Sequence, residues 1–266
     1  MVDWTDDIAA FLESEGFGFS VEEKCGIKEF RVHVDYAGGG DVLLDAVPAL
    51  TRTLTLAENI LRAAETLRRE PGKRVFVPQD FWMGRGEMVR KRLLAQLGRF
   101  RPVFARNTVV RRLSKPETAG FLDAWHSYGD ATARYRYGMF GKDGELLAVA
   151  TFSAARKWLK DNGIVRSCEW VRYASLPDVR VVGGMGKVLK TFVRDVGPDD
   201  VMSYADLEWT DGSVYEALGF VAESFREPVL YSVDPETWKR VPCDKSLNEN
   251  ALYHYNLGSV KYRLKL

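Results

Sequence analysis

The sequence predicts an α/β protein, with a small α/β unit over 1–113 and a larger mixed-sheet unit with flanking helices over 114–266. Three observations carry this expectation. Glycines at Gly183, Gly184 and Gly186 precede a helical run whose apolar positions Val188, Leu189, Phe192 and Val193 share one face. Before them stands a hairpin pattern, RYRYGMF (134–140) and ELLAVATFS (145–153), joined by the turn GKDG. Strand-like and helix-like runs also alternate on both sides of Ser114, as sheets covered by helices require.

The elements follow in order. TDDIAAFLESE (5–15) reads as a short amphipathic helix capped by Thr5, and KEFRVHVD (28–35) alternates as a half-buried strand does. AGGGD (37–41) is a loop or hairpin turn. A helix over 54–70 ends at Pro71-Gly72, and KRVFV (73–77) is the next strand. A helix over 86–97 is closed by Gly98, and 103–113 gives one or two strands. Ser114 and Glu117 form a capping box for the helix that ends near His126. Beyond the hairpin come strand 168–175, the glycine turn with helix 184–194, strand 201–206, helix 212–218 and strand 225–233. Residues 251–266 add one or two strands with a turn at Leu257-Gly258.

Composition narrows the classes. With 46% hydrophobic and 28% charged residues, the chain has ample core for a globular protein. No apolar run approaches the roughly 18 residues that span a bilayer, so no membrane association is expected. The acidic N-terminus lacks the pattern of a secretory signal. Cys25, Cys168 and Cys243 are far apart and odd in number, which points to a reducing, cytoplasmic setting. No spacing demands a metal. The net charge of +1 hides a segregation: residues 1–61 hold 4 basic and 12 acidic side chains, residues 62–115 hold 15 basic and 4 acidic. The basic block reads either as a face that contacts nucleic-acid phosphates or as solvated helix faces pairing with the acidic N-terminal segment.

A helix that opens on glycines presents bare backbone N–H groups and the positive end of its dipole, a ready anion site. The order helix, hairpin, strand, glycine turn, helix, strand, helix, strand resembles the GNAT acyltransferase superfamily. That family's cofactor motif is [Q/R]-x-x-G-x-[G/A]; Gly184-Met185-Gly186 matches its G-x-G, and Val181 stands at the Q/R position. Tyr215, Gly219 and Phe220 match its later Y-x-x-x-G-F. The resemblance implies a GNAT-like mixed sheet, acetyl-CoA or another acyl-CoA as cofactor, and Tyr215 as acid to the departing thiolate. FARNTVVRRLS, FLDAWHSYG, VRYAS and SYADLEWTDGSVYEALGF look like phage and mobile-element proteins that carry a GNAT-like domain after a Vsr-like nuclease segment. The pairing of a His-bearing helix with S-Y-A-D is similar to the phage Mom proteins, which modify adenine in DNA. The N-terminal unit accordingly reads as a degenerate nuclease-like segment: Asp35, Asp41 and Asp45 lie in the right region, without an Asp…Glu-x-Lys pattern.

The candidate residues follow. Gly183, Gly184 and Gly186 cradle a pyrophosphate or form only a tight strand-to-helix turn, and Lys187 adds charge or is simply exposed. Asp206, at the C-terminal end of a buried strand, is a general base or a turn aspartate. His126 titrates near neutrality and is a proton carrier or a favourably placed helix-end residue. Tyr128 and Tyr204 line the same pocket. Arg172 clamps a substrate anion or fixes Asp206. It lies three residues from Glu169 and therefore faces the other way, unless a bulge intervenes. The favoured reading is acyl-CoA-dependent transfer to an amine of a nucleic acid; the alternative is a non-catalytic nucleic-acid-binding protein.

Overall fold

The structure, a computed structural model, describes residues 3–35, 39–51, 53–160, 163–243 and 251–266. In chain order, the first part comprises α1 (Trp4–Ser14), β1 (Phe19–Lys24), β2 (Ile27–Val34), β3 (Gly40–Val47), β4 (Leu50–Thr51), α2 (Leu54–Arg69), β5 (Lys73–Pro78), α3 (Gln79–Gly84) and α4 (Gly86–Gln96). Then come β6 (Arg101–Phe104), β7 (Val109–Arg112), α5 (Lys115–Trp125), β8 (Tyr135–Phe140), β9 (Leu146–Phe152), β10 (Arg156–Lys160), β11 (Gly163–Ser175) and β12 (Val179–Val182). The rest is α6 (Gly184–Val196), β13 (Asp200–Asp206), α7 (Ser213–Glu216), β14 (Val221–Arg226), β15 (Leu230–Val233), β16 (Arg240–Pro242), β17 (Leu252–Tyr255) and β18 (Ser259–Lys265). The turn expected over 37–41 lies partly outside the described residues.

The chain divides into two compact units, and not at residue 113. Unit 1 is Met1–Gly98, Asp206–Asp211 and Phe225–Ser259; unit 2 is Arg99–Ala205, Gly212–Ser224 and Val260–Leu266. The reason is strand pairing. β6 and β7, which the sequence assigns to the first unit, pair with β12 and β8. β15 and β17, assigned to the second, join β4 near residue 50.

In unit 1, β1, β2 and β3 form an antiparallel meander, and α2 carries the chain over to β5, parallel to β3. Asp3, not Thr5, caps α1: its carboxylate accepts the Thr5 N–H at 3.1 Å, and Thr5 itself is buried. A second sheet has the order β16-β15-β17-β4. The expected strand 225–233 is thus two strands in different sheets. Pro228 lies between them and has no N–H to carry a ladder on. Part of the basic block is used internally: Arg90 pairs with Asp7, and Arg74 with Glu29 and Asp45. Arg62, Arg68 and Arg69 of α2 are exposed.

Unit 2 is built on the sheet β14-β18-β13-β11-β9-β8-β7, with β10 beside β11. β11 runs antiparallel to β9 and parallel to β13, so the sheet is mixed, as expected from the sequence. The predicted apolar stripe of α6 supplies buried Val188, Leu189 and Phe192, with Val193 packed partly buried beside them, and Phe192 stacks on Phe152 at 3.9 Å between centroids. The Ser114–Glu117 capping box is present at the start of α5.

Candidate functional site

The glycine turn joins β12 to α6, and each glycine has its own reason. Gly183 is the left-handed residue before the helix, at φ 76°. A Cβ on Gly184 would lie 2.9 Å from the Val181 side chain and 3.1 Å from the Tyr173 hydroxyl; one on Gly186 would lie 3.3 Å from Leu218. The first helical bond runs from the Lys187 N–H to the Gly183 carbonyl. The N–H groups of Gly184, Met185 and Gly186 therefore precede the helical ladder, and no side chain caps them. Val181, at the motif's Q/R position, is a core residue of this unit. Lys187 departs from its expected role. Its ammonium donates to the carbonyls of Ala105, at 2.8 Å, and Thr108, and so fastens the helix start to the 105–107 turn.

Beside this turn the sheet opens. β11 and β13 are paired only at Ser167–Asp200, Cys168–Val201 and Glu169–Met202, although the strands run on to Ser175 and Asp206. Beyond Glu169 the Ser203 hydroxyl donates to the Trp170 carbonyl at 3.1 Å. On its other edge β11 shifts register against β9 between Trp170 and Arg172, so Val171 is the extra residue of a bulge. The bulge resolves the facing of Glu169 and Arg172. Glu169 exchanges bonds with Ser153, Arg172 stands opposite Thr151, and the two side chains share one face.

Tyr215 lies at the mouth of the opening. Its ring stacks on Tyr262 at 5.3 Å, and its hydroxyl is 3.1 Å from the Ser203 hydroxyl and 3.5 Å from the Tyr204 carbonyl. His126 terminates α5, and its Nδ1 accepts the Tyr128 N–H at 3.1 Å. That contact holds Nδ1 deprotonated and places the neutral ring's proton on Nε2. Arg172 donates to the Gly129 carbonyl at 3.2 Å and the Val171 carbonyl at 3.0 Å, so it sits beneath the loop that carries Tyr128. Among the described residues its hydrogen bonds go to these carbonyls and not to Asp206, the alternative its position in the sequence left open.

Asp206 ends β13 and belongs to unit 1. Its carboxylate accepts the Glu208 N–H at 3.0 Å, and its carbonyl accepts the N–H groups of Trp209 and Thr210. Burial, followed by the neighbouring Glu208 charge, pushes its carboxyl up to about 7. Glu208 is held in an ionic cluster that the sequence did not reveal. Arg240 forks onto Asp80 and also reaches Glu208 at 3.3 Å, and His254 meets Glu208 at 2.7 Å. Burial works against the Glu208 charge, yet Arg240 and His254 hold its carboxyl below the ordinary range. No local pattern announces this cluster, because its members come from residues 80, 208, 240 and 254.

The three aspartates considered for a nuclease do not converge. Asp35 and Asp41 flank the exposed His33, whereas Asp45 is wholly buried against Arg74. Among the described residues no group of three His, Cys, Asp or Glu side chains is placed to hold a metal ion. No described helix is long and apolar enough to cross a membrane.

No protein-family model matches the chain, and no curated protein sequence does. Several solved structures resemble it in part. Spermidine/spermine N-acetyltransferase SpeG from Vibrio cholerae covers 60% of this chain and 94% of its own, at 11% identity and a TM-score of 0.37. An acetyltransferase from Corynebacterium glutamicum related to histone acetyltransferase HPA2 covers 59% and 95%, at 10% identity and 0.38. The ribosomal-protein-S18-alanine N-acetyltransferase from Escherichia coli covers 59% and 93%, at 11% identity and 0.35.

Proposed function

We propose that the protein is an acyl-CoA-dependent N-acyltransferase. The observation that carries the reading is the opening between β11 and β13, bounded by the Val171 bulge, beside the bare N-terminus of α6. An acyl-CoA suits these residues. The N–H groups of Gly184–Gly186 fit a pyrophosphate, and the unladdered backbone beyond Glu169 fits an amide-bearing arm. The bound thioester would supply the activated acyl group. Tyr215 donates its hydroxyl proton to the departing thiolate, and Ser203 orients that hydroxyl. Asp206 takes the proton of the attacking amine, a task suited to a carboxyl that titrates near 7. His126, whose Nδ1 accepts the Tyr128 N–H, serves to shape the loop above Arg172. Arg172, Tyr128 and Tyr204 line the acceptor side. Isothermal titration with acetyl-CoA tests the reading; no binding at millimolar ligand overturns it.

For the acceptor we propose an amine of a nucleic acid, in keeping with the phage-type motif phrasing and with exposed Arg62, Arg68 and Arg69 on α2. A second reading, a nucleic-acid-binding protein without transferase activity, is favoured by the buried Val181 where the motif carries Gln or Arg. Salt titration of DNA binding addresses both: each phosphate contact steepens the log–log slope by about 0.9. A flat profile removes the nucleic-acid acceptor.

A further inference from the structure

Arg136, Thr151 and Arg172 stand directly opposite one another on β8, β9 and β11. Opposed residues share a face, so the three form a row across the sheet. The loop after α5 covers this row, since Arg136 bonds to Asp130 and the Ala131 carbonyl, and Arg172 to the Gly129 carbonyl. The two arginines differ in how their charge is met. Arg136 is buried and has an ion pair with Asp130 at 3.0 Å. Arg172 is partly buried and makes no ion pair among the described residues; its two hydrogen bonds go to neutral carbonyls. Glu169, Tyr128 and Asp130 bias it only from a distance, and burial pulls its basicity down. Between the two arginines, the fully buried Thr151 hydroxyl has no hydrogen-bond partner. A guanidinium withdrawn from water without a counter-charge is costly, and so is an unpaired buried hydroxyl. Together they mark a place where a polar, anionic group is missing.

Resting on the acyltransferase reading, we propose that Arg172 anchors an oxyanion carried by the acceptor amine. The acceptor class is then an amine bearing a phosphate or a carboxylate. The backbone carbonyls of Gly129 and Val171 hold the guanidinium by its Nε and Nη1, which leaves Nη2 to meet the anion. Thr151 acts as a positioning residue behind the guanidinium, through an enclosed water or directly as the loop adjusts.

The test measures binding without turnover. Phosphoethanolamine, β-alanine and ethanolamine are titrated calorimetrically into the full-length protein, into Arg172→Gln and into Arg172→Lys, with acetyl-CoA titrated in parallel. The expected result is binding of one or both acidic amines at least tenfold tighter than ethanolamine. Arg172→Gln should erase that preference and Arg172→Lys should keep part of it, because the charge persists without the planar fork. Phosphoethanolamine against β-alanine decides between phosphate and carboxylate. Ethanolamine binding as well as the acidic amines overturns the proposal, and so does an undiminished preference in Arg172→Gln. Retained acetyl-CoA affinity shows that the variants are folded. Loss of acetyl-CoA binding by the wild-type protein, with the anion preference intact, would sink the acyltransferase reading and leave the anion site standing.

Discussion

Replacing Asp206 with Asn should stabilise the protein while removing activity. The Asn carbonyl oxygen can still accept the Glu208 N–H that Asp206 accepts at 3.0 Å, so the turn is preserved. What disappears is the cost of ionising a carboxyl held at about 7 instead of the ordinary 3.8. At about 1.4 kcal/mol per tenfold, that difference is on the order of 4 kcal/mol. The direction follows from proton binding. Between pH 3.8 and about 7 the folded form holds this proton more tightly than the unfolded chain. Stability from this group is therefore full at low pH and declines as pH rises through 7. Denaturant melts of both proteins from pH 3 to 8 should give matching stabilities below pH 3.8, a gap that widens between 3.8 and about 7, and a more stable Asp206→Asn by a constant margin above that. Turnover of the wild type should rise with an apparent pKa near 7, and the Asn variant should stay low throughout. Parallel stability curves for the two proteins would refute the argument, because the raised pKa would then have no energetic counterpart.

Other changes bear on separate links. Gly184→Ala should lower stability by ~1–3 kcal/mol by crowding Val181 and Tyr173, and should weaken acetyl-CoA binding, both readable by calorimetry. Tyr215→Phe keeps the stacking on Tyr262 and should lower kcat by roughly 10²-fold; a thioester with a more acidic thiol should recover part of the loss. Arg240→Ala leaves Asp80 and Glu208 facing each other in the interior and should cost about 3–5 kcal/mol in chemical denaturation. A fragment of residues 114–266 should not melt cooperatively, because it lacks β6 and β7 and leaves β17 without β4.

Local features were legible wherever the chemistry is local. The Ser114–Glu117 box, the α6 stripe and the glycine turn before it each follow from residues within a few positions of one another. The cap of α1 is harder to read because two capping residue types stand two residues apart: Asp3 accepts the Thr5 N–H, and the Thr5 hydroxyl accepts from the Lys28 ammonium instead. Long-range pairing was not legible. Nothing near residue 230 announces a partner strand at residue 50, and nothing at Asp80 announces Arg240. The site shows the same split. The glycines stand out through spacing and Tyr215 through the resemblance of its Y-x-x-x-G-F to a family motif, whereas Ser203 and Thr151 matter only through what the sheet sets opposite them. Lys187 shows the limit of reading a charge from sequence, since its ammonium is spent on two carbonyls.

The interleaving of the two units has a consequence for how the protein is made. Translation delivers the first 98 residues early, yet unit 1 needs Phe225–Ser259 to be complete. Until then Asp80 has no Arg240, β4 has no β17, and the strand edge stays open on the nascent chain. The N-terminal segment therefore waits for nearly the whole chain to leave the ribosome, and an early pause or truncation strands a charged, half-built sheet. Slowing synthesis between codons 98 and 225 should raise the share of aggregated product more than the same delay placed after codon 259.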